Sequence, residues 1–272
     1  MKDENMNKNK VTLSAFAKRK RAGEKIIMLT SYDAPTAAIA AKAGIDVILV
    51  GDSVGMAQLG YSSTIPVNMD DMLHHTKAVR RGAPNSFVVF DMPFMSYQVS
   101  DEEALRNAGR AIKETGADAV KLEGGAEVAP LIKKLVGAGI PVMAHLGLLP
   151  QHVQAVGGYK ITGRGDDAAR LINDALKIQE SGAFAVVLEC MIADVAKEIT
   201  AKLDIPTIGI GSGVDCDGQV QVVTDILGIG DFTPKHAKRF ANVGDIMQQA
   251  MARYVEEVRN GSFPGTENTF NA

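Results

Sequence analysis

The sequence predicts an α/β protein that folds as a (β/α)₈ barrel, or TIM barrel, and three observations carry this prediction. Short aliphatic or β-branched runs alternate with amphipathic stretches of helical periodicity, which is the pattern of parallel strands joined by helices. About eight such runs occur, the number that a closed barrel needs. A length of 272 residues with 46% hydrophobic composition suits one barrel, and 27 glycines supply its many turns.

The apolar runs are bounded by polar or turn residues, and the last of them has the weakest pattern. The predicted strands are Ile26–Thr30, Val47–Val50, Phe87–Phe90, Ala119–Leu122, Val142–His145, Ala185–Leu188, Thr207–Ile210 and Val220–Thr224. The predicted helices are Ala34–Ala43, Asp70–Arg81, Ser100–Thr115, Asp166–Ser181 and Val195–Leu203, with one or two closing helices within Lys235–Arg259. Asn68 is a plausible helix cap, and Ser100 with Glu103 predicts a capping box.

The domain organisation predicted is a flexible N-terminal tail over residues 1–10 and a single barrel domain over residues 11–272. The tail is rich in Lys and Asn and lacks an apolar core. Two connections, Gly55–Asn68 and Gly147–Gly165, are longer than a minimal strand-to-helix loop. Both follow strand ends, so we expect both on the rim where barrel enzymes carry their chemistry.

Composition excludes several classes of function. The net charge of −3 offers no basic field for nucleic acid. No signal-peptide core and no apolar stretch long enough to span a bilayer occur, so we expect no membrane partner. The two cysteines, Cys190 and Cys216, form no CxxC pair, which argues against a disulfide framework or a zinc site. A reduced, cytoplasmic location is the simplest interpretation.

Ionisable or polar residues stand at the carboxyl ends of five consecutive predicted strands, where a barrel of this type places its active site. They are Asp52 and Ser53, Asp91, Lys121 and Glu123, His145, and Glu189. Taken singly, such an Asp is often a helix cap, such a His a structural residue and such a Lys–Glu pair a local ion pair. Five in succession would be a costly way to build a core, so they predict an active site.

Three of these residues are carboxylates that suit a hard divalent cation. Asp52, Asp91 and Glu123 offer oxygen ligands, which Mg²⁺ prefers, and the scarcity of His and Cys argues against zinc. Glu189 stands on a later strand, and a carboxylate that the metal does not need could serve as a general base.

Other motifs carry less specific signals. The run Gly209–Gly213 could bind phosphate after the seventh strand, or could be a close-packed turn. His74 and His75 are adjacent in a predicted helix and cannot jointly bind one metal, so we interpret them as structural or interface residues. Cys190 is a nucleophile only in principle, because no activating histidine is apparent.

Several motifs together resemble those of the ketopantoate hydroxymethyltransferase family. The likeness runs from about Ser31 to near Pro264, so it covers nearly the whole chain. The similar segments are Val50–Met56, Lys77–Pro84, Asp91–Phe94, Lys121–Gly125, His145–Leu148, Gly163–Gly165, Val187–Cys190 and Gly209–Gly213. Ser212 departs from an alanine common in the family, but no catalytic position is lost.

The resemblance implies a (β/α)₈ barrel of the phosphoenolpyruvate mutase/isocitrate lyase group. It implies a Mg²⁺-dependent transferase that moves a hydroxymethyl group from 5,10-methylenetetrahydrofolate to 3-methyl-2-oxobutanoate. The product would be 2-dehydropantoate, on the route to pantothenate and coenzyme A. It also implies a homo-oligomer, a decamer in this family.

The resemblance also implies a role for each matching residue. Asp52 and Asp91 match direct metal ligands, and Glu123 matches a further carboxylate of the metal site. Asp52, Asp91, Ser53 and Lys121 match the positions that hold the oxo acid. Glu189 matches the proton acceptor. Beside these, His145 could hydrogen-bond a metal-bound oxygen or the product hydroxyl.

Two alternatives stay open at this point. One is a Mg²⁺-dependent 2-oxo acid lyase or aldolase on the same barrel, which would not require methylenetetrahydrofolate. The other is a catalytically silent barrel that acts as a binding or scaffold protein, which would not bind a 2-oxo acid in a Mg²⁺-dependent way.

Overall fold

A computed structural model describes residues 11–270 of the chain. The predicted tail, residues 1–10, lies outside the described residues. The chain divides into two compact units, Met1–Val222 and Val223–Ala272. The prediction of a single barrel domain over residues 11–272 stays a prediction.

The first unit is a closed barrel of eight parallel strands that follow one another in chain order, as predicted. Its strands are β1 (Ile26–Thr30), β2 (Val47–Val50), β3 (Phe87–Asp91), β4 (Ala119–Glu123), β5 (Val142–Gly147), β6 (Ala185–Glu189), β7 (Thr207–Ile210) and β8 (Gly218–Gln221). Parallel pairing of β8 with β1 closes the barrel.

One helix, α1 (Leu13–Ala22), precedes β1, and the other helices follow strands around the barrel. These are α2 (Ala34–Ala43), α3 (Val54–Ala57), α4 (Met69–Gly82), α5 (Asp101–Thr115), α6 (Ala129–Gly137), α7 (Val153–Val156), α8 (Asp166–Glu180) and α9 (Ala193–Lys202). A short 3₁₀ helix, Pro150–His152, precedes α7. The five helices predicted before the closing segment are therefore confirmed to within two residues at each end.

The caps show why α4 and α5 begin where they do. The Asn68 side chain accepts hydrogen bonds from the first turn of α4, and the Asp71 side chain bonds back to the Asn68 backbone, which makes a complete capping box. At α5, Ser100 Oγ accepts from Glu103 N at 3.2 Å, which is one half of the predicted box. Both helices thus satisfy amide groups that would otherwise lack partners.

The predicted eighth strand, Val220–Thr224, was wrong in its bounds. β8 is Gly218–Gln221, and the β-branched pair Val223–Thr224 opens a helix instead. A Cβ atom on Gly218 would lie 2.4 Å from the carbonyl oxygen of Ile26 on β1. Glycine therefore suits the closing seam of the barrel, although glycine is a poor sequence marker of a strand.

Helices α1 and α6, of 10 and 9 residues, were not predicted from the sequence. In α1 only Phe16 is buried, so no apolar stripe marks the helix. The Phe16 ring packs edge-on against the rings of Phe87 and Phe184, with centroid separations of 5.1 Å and 4.9 Å, respectively. A single aromatic anchor thus fixes α1 where periodicity gave no signal.

Alternation along the strands explains both the core and the site. The barrel interior is filled by residues of one parity on each strand; they include Met28, Leu49, Val89, Ala119, Met143, Val187 and Ile208. Side chains two residues apart share a face. Continuing this parity to the strand ends brings five ionisable residues to the same interior face: Asp91, Lys121, Glu123, His145 and Glu189.

The second unit contains α10 (Val223–Leu227), α11 (Val243–Asn260) and a 3₁₀ turn, Thr266–Asn268. The closing helix therefore begins later than the predicted Lys235–Arg259, because residues 235–242 form irregular backbone. Within that segment Phe240 N donates to Ile226 O at 2.8 Å rather than to a helical neighbour. None of the helices over residues 11–270 is long and apolar enough to cross a membrane.

Candidate active site

The ends of β2 and β3 bring two carboxylates together. Asp52 N donates to Asp91 Oδ2 at 3.2 Å, and Asp91 Oδ1 accepts from Lys121 Nζ at 2.6 Å. The residues are 3%, 2% and 4% exposed, respectively. Asp91 and Lys121 are register partners on β3 and β4, so strand pairing itself sets this ion pair.

Lys121 keeps its charge although it is buried. Burial lowers the pKa of its ammonium, but the charges of Asp91, Glu123 and Asp52 outweigh burial and hold that pKa above its ordinary value. Among residues 11–270, the pocket therefore contains one permanent cation, Lys121, beside three nearly buried carboxylates.

The carboxylates outnumber the cation, and the pKa values of Asp52 and Glu123 are raised. Burial and the charge of Asp91 raise the pKa of Asp52 to about 7, against the opposing effects of Lys121 and Gln151. Burial raises the pKa of Glu123 well above its ordinary value, in spite of Lys121. The groups of the pocket therefore do not fully neutralise these carboxylates when they are ionised.

Gln151 ties the carboxylates together, and it was not predicted from the sequence. Its side-chain nitrogen donates to Asp52 Oδ2 at 3.0 Å and to Met92 O at 2.9 Å. Its backbone nitrogen donates to Glu123 Oε2 at 3.1 Å. Its amide oxygen accepts from the Tyr97 hydroxyl at 2.8 Å. Gln151 is only 2% exposed, so it is a buried component of the pocket.

His145 stands between two glutamates at the end of β5. Its Nε2 lies 3.3 Å from Glu189 Oε2, and its Nδ1 lies 3.7 Å from Glu123 Oε1. Burial and Lys121 lower the pKa of His145, although the nearby Glu189 opposes this. The imidazole is therefore neutral near pH 7 and can donate one hydrogen bond and accept another.

Ser53 follows Asp52 in the chain, and its hydroxyl is contacted by Tyr32, which lies in the loop after β1. Its Oγ lies 2.8 Å from the hydroxyl of Tyr32, which is 1% exposed. Tyr32 O in turn lies 2.7 Å from His75 Nδ1. His75 thus has the predicted structural role, whereas its neighbour His74 is exposed.

The two long connections lie on the same rim, as predicted. Gln151, from the connection after β5, bonds to Asp52 at the end of β2. The Tyr159 hydroxyl, from the same connection, lies 3.7 Å from Sδ of Met56, which belongs to the connection after β2. Burial and the charges of Glu189 and Asp52 raise the pKa of Tyr159, as expected for a side chain near the carboxylates.

Two other sequence motifs have structural roles. Ser212 Oγ, within the glycine run after β7, donates to Leu188 O at 2.7 Å and accepts from Met191 N at 3.1 Å. The run is therefore a close-packed turn that ties β6 to β7. Burial and the charge of Glu189 raise the pKa of the Cys190 thiol to about 11, which is unlike a nucleophile.

The structure therefore brings together every residue named from the strand ends and adds Gln151 and Tyr97. One signal could have revealed Gln151: it is the first of two polar residues, Gln151 and His152, directly after the apolar stretch Leu148–Pro150. Tyr97 lies in the loop after β3 and gave no comparable signal. Both belong to loops, whose side-chain placement follows from tertiary packing.

The donor set fits a hard cation that keeps part of its water shell. Among residues 11–270, no three His, Cys, Asp or Glu side chains converge closely enough to hold a metal between them. Two oxygen ligands with water at the other positions is a usual arrangement for Mg²⁺. In addition, the buried Glu123 Oε1 has no hydrogen-bond partner among the described residues. A hydrated cation beside the carboxylates would satisfy this oxygen and offset the excess negative charge.

Comparisons with known proteins agree on one family and one fold. Residues 10–266 match the family model described as ketopantoate hydroxymethyltransferase. The chain is 56% identical over 263 residues to 3-methyl-2-oxobutanoate hydroxymethyltransferase of Syntrophus aciditrophicus, covering 96% of this chain and 97% of that one.

Two solved structures share the fold at low sequence identity. A phosphonopyruvate hydrolase complex with oxalate and Mg²⁺ superposes with a TM-score of 0.61 at 12% identity, covering 94% of this chain and 92% of that one. A 2,3-dimethylmalate lyase of the PEP mutase/isocitrate lyase superfamily gives 0.58 at 16% identity, covering 95% and 91%. The nearly full-length match to the family model and the 56% identity to the Syntrophus relative show that the chain belongs to the ketopantoate hydroxymethyltransferase family.

Proposed function

We propose that this chain is a Mg²⁺-dependent transferase that moves a hydroxymethyl group from 5,10-methylenetetrahydrofolate to 3-methyl-2-oxobutanoate, giving 2-dehydropantoate for pantothenate synthesis. The family and the substrate named for the Syntrophus relative support the reaction.

One observation carries the proposal: the four carboxylates of the pocket differ sharply in exposure. Asp52, Asp91 and Glu123 are at most 3% exposed, whereas the Glu189 side chain is 18% exposed. Asp52, Asp91 and Glu123 are thus buried, whereas Glu189 borders the space that a substrate would enter. This is the division expected between a cation site and a general base.

We assign Asp52 and Asp91 as direct ligands of Mg²⁺, and Glu123 as a carboxylate that contacts its water shell. Their buried negative charge and the unpartnered Glu123 oxygen support this assignment. The chemistry that a bound Mg²⁺ supplies is Lewis acidity, which lowers the energy of negative charge on a keto oxygen. A phosphonopyruvate hydrolase with this fold was solved with Mg²⁺ and oxalate, a small dicarboxylate.

The oxo acid carboxylate would be held by Lys121 and Ser53. Lys121 retains its charge in the buried pocket, so it supplies a fixed cation for an anionic substrate. The Ser53 hydroxyl is oriented by Tyr32 and can donate a further hydrogen bond. Asp52 and Asp91 border the same position, which is why we include them among the substrate-binding residues.

Glu189 would remove the C3 proton of 3-methyl-2-oxobutanoate. Its Oε2 lies 3.3 Å from His145 Nε2, and a neutral His145 that turned to donate to it would orient the carboxylate without neutralising it. Loss of that proton leaves a carbon nucleophile next to the ketone, which attacks the methylene carried by the folate. Formation of the C–C bond breaks one of the two C–N bonds of the methylene, and attack by water breaks the other, so tetrahydrofolate leaves. Water supplies the oxygen of the new hydroxymethyl group, and its remaining proton and the C3 proton end on the two folate nitrogens.

Two experiments separate this proposal from its rivals. Turnover of 3-methyl-2-oxobutanoate should require both methylenetetrahydrofolate and Mg²⁺. A lyase or aldolase would act without the folate. A silent barrel would show no Mg²⁺-dependent binding of the oxo acid in isothermal titration.

We also propose a homo-oligomer, a decamer by family resemblance. In the second unit, α11 buries none of its residues. Its apolar side chains include Ile246, Met251 and Tyr254, which are 62%, 61% and 59% exposed. Such apolar exposure is typical of subunit contacts. Light scattering coupled to gel filtration would measure the mass, and a monomeric mass would contradict this part of the proposal.

A further inference from the structure

We propose that Gln151, oriented by Tyr97, is a positioning residue for the cation site, which it prepares by fixing one oxygen each of Asp52 and Glu123. This inference rests on the proposed function, because it concerns the Mg²⁺ assigned there. It adds two loop residues to the strand-end residues already named.

The direction of the Gln151 amide follows from its neighbours. One end faces Asp52 Oδ2 at 3.0 Å and Met92 O at 2.9 Å, and both of these only accept when the carboxyl is ionised. That end must therefore be the NH₂ group. The opposite end faces the Tyr97 hydroxyl at 2.8 Å and the Gln98 amide nitrogen at 3.1 Å, which can both donate.

Tyr97 connects this amide to the backbone of β4. Its hydroxyl accepts from Glu123 N at 3.1 Å and has one proton to give. The bond to Gln151 Oε1 at 2.8 Å is shorter than the 3.3 Å separation from Glu123 O, so that proton points to Gln151. A chain of hydrogen bonds thus runs from β4 through Tyr97 and Gln151 to Asp52.

These hydrogen bonds occupy one oxygen of each of the two carboxylates. Asp52 Oδ2 accepts a hydrogen bond from the Gln151 side chain, and Glu123 Oε2 accepts one from the Gln151 backbone nitrogen. Glu123 Oε1 accepts no hydrogen bond within residues 11–270. One residue therefore holds two carboxylates in orientations that leave one oxygen of each for a cation or its water.

The same geometry argues against a purely structural role. A buried glutamine that served packing alone could satisfy its amide with backbone groups, as most buried side-chain amides do. Gln151 instead directs one NH₂ hydrogen to Asp52 Oδ2, and such a bond is charge-assisted, and therefore stronger, when the carboxyl is ionised. Partners of this kind typically change metal affinity about 10- to 100-fold when they are removed.

The test uses Mn²⁺ as a spectroscopic substitute for Mg²⁺, with free Mn²⁺ measured by electron paramagnetic resonance. Gln151→Met, which keeps size but removes both amide ends, should weaken Mn²⁺ binding about 10- to 100-fold. Tyr97→Phe, which removes only the orienting hydroxyl, should weaken it about 2- to 10-fold. Saturating Mn²⁺ should restore oxo acid binding in both variants, a rescue that a folding defect would not show.

Gln179→Met is the matched control. Gln179 is partly buried, and its amide oxygen accepts from Asp204 N and Ile205 N, outside the pocket. This variant also loses side-chain hydrogen bonds, but its Mn²⁺ dissociation constant should equal that of the wild type.

The outcomes are distinguishable. If the wild type binds Mn²⁺ and folded Gln151→Met binds it equally well, the inference is overturned while the proposed function survives. If Gln151→Met does not fold, unchanged binding by Tyr97→Phe overturns the orienting chain. If the wild type itself binds no Mn²⁺, the metal site of the proposed function fails, and the inference fails with it.

Discussion

Replacing Asp52 by Asn should stabilise the metal-free protein, because the wild-type pocket holds a charge that it does not neutralise. Burial and Asp91 raise the pKa of Asp52 from 3.8 to about 7. Each pKa unit corresponds to about 1.4 kcal/mol, so a shift of roughly three units amounts to roughly 4 kcal/mol. An Asn side chain removes the charge and can still accept the hydrogen bond from Gln151.

The pH dependence has a definite sign. The pKa of Asp52 is higher in the folded than in the unfolded chain, so its contribution to stability is fully present below about pH 4 and is lost as the pH rises through about 7. The variant should therefore exceed the wild type by roughly 4 kcal/mol at pH 8, and by less than roughly 2 kcal/mol at pH 5. For a chain of this size, the gain at pH 8 corresponds to a rise of roughly 10 °C in Tm.

Urea unfolding in EDTA at both pH values measures the difference directly. The exposed Asp204→Asn is the control, and it should change the unfolding free energy by less than about 0.5 kcal/mol. Added Mg²⁺ should stabilise the wild type more than Asp52→Asn. The reasoning is refuted if Asp52→Asn is less stable than the wild type at pH 8, or if the difference is the same at both pH values.

Three further predictions concern the ligands, the barrel seam and a thiol. Asp91→Ala should abolish Mg²⁺-dependent oxo acid binding in isothermal titration, since it removes one of two proposed ligands; unchanged binding would rule out the assignment. Gly218→Ala should destabilise the barrel by several kcal/mol in urea unfolding, because a Cβ atom there would meet a β1 carbonyl at 2.4 Å. The control Gly109→Ala, in open space on α5, should instead stabilise by about 0.5–1 kcal/mol, and equal effects would disprove the steric argument. Cys190 should react about 10²-fold more slowly with iodoacetamide at pH 8 than an ordinary thiol, because its pKa is about 11; an ordinary rate would contradict the burial argument.

The sequence predicted the barrel and the strand-end residues because both depend on local periodicity. Alternation of side chains along β4 is enough to bring Lys121 and Glu123 to one face, and strand order brings Asp91 beside Lys121. These relations follow from secondary structure and parallel pairing alone. They therefore appear in the sequence before any tertiary contact is known.

The parts that were missed depend on tertiary contacts. Gln151 and Tyr97 reach the pocket through loop conformations that no repeating pattern encodes. The eighth strand was predicted too far along the chain. The strand that closes the barrel begins at Gly218, whereas the more strand-like Val223 belongs to a helix. α1 was missed because one aromatic residue, Phe16, anchors it in place of an apolar stripe.

The role of Glu189 as the base is the central claim, and hydrogen exchange at C3 of 3-methyl-2-oxobutanoate tests it most directly. In D₂O with Mg²⁺ and without folate, the wild type should exchange this proton for deuterium, as followed by NMR. Glu189→Gln keeps the shape of the side chain, so it should still bind Mg²⁺ and the oxo acid while exchange falls about 10²–10⁴-fold. Normal exchange by a folded Glu189→Gln variant that binds the oxo acid would remove Glu189 from the mechanism and make His145, 3.3 Å away, the next candidate base.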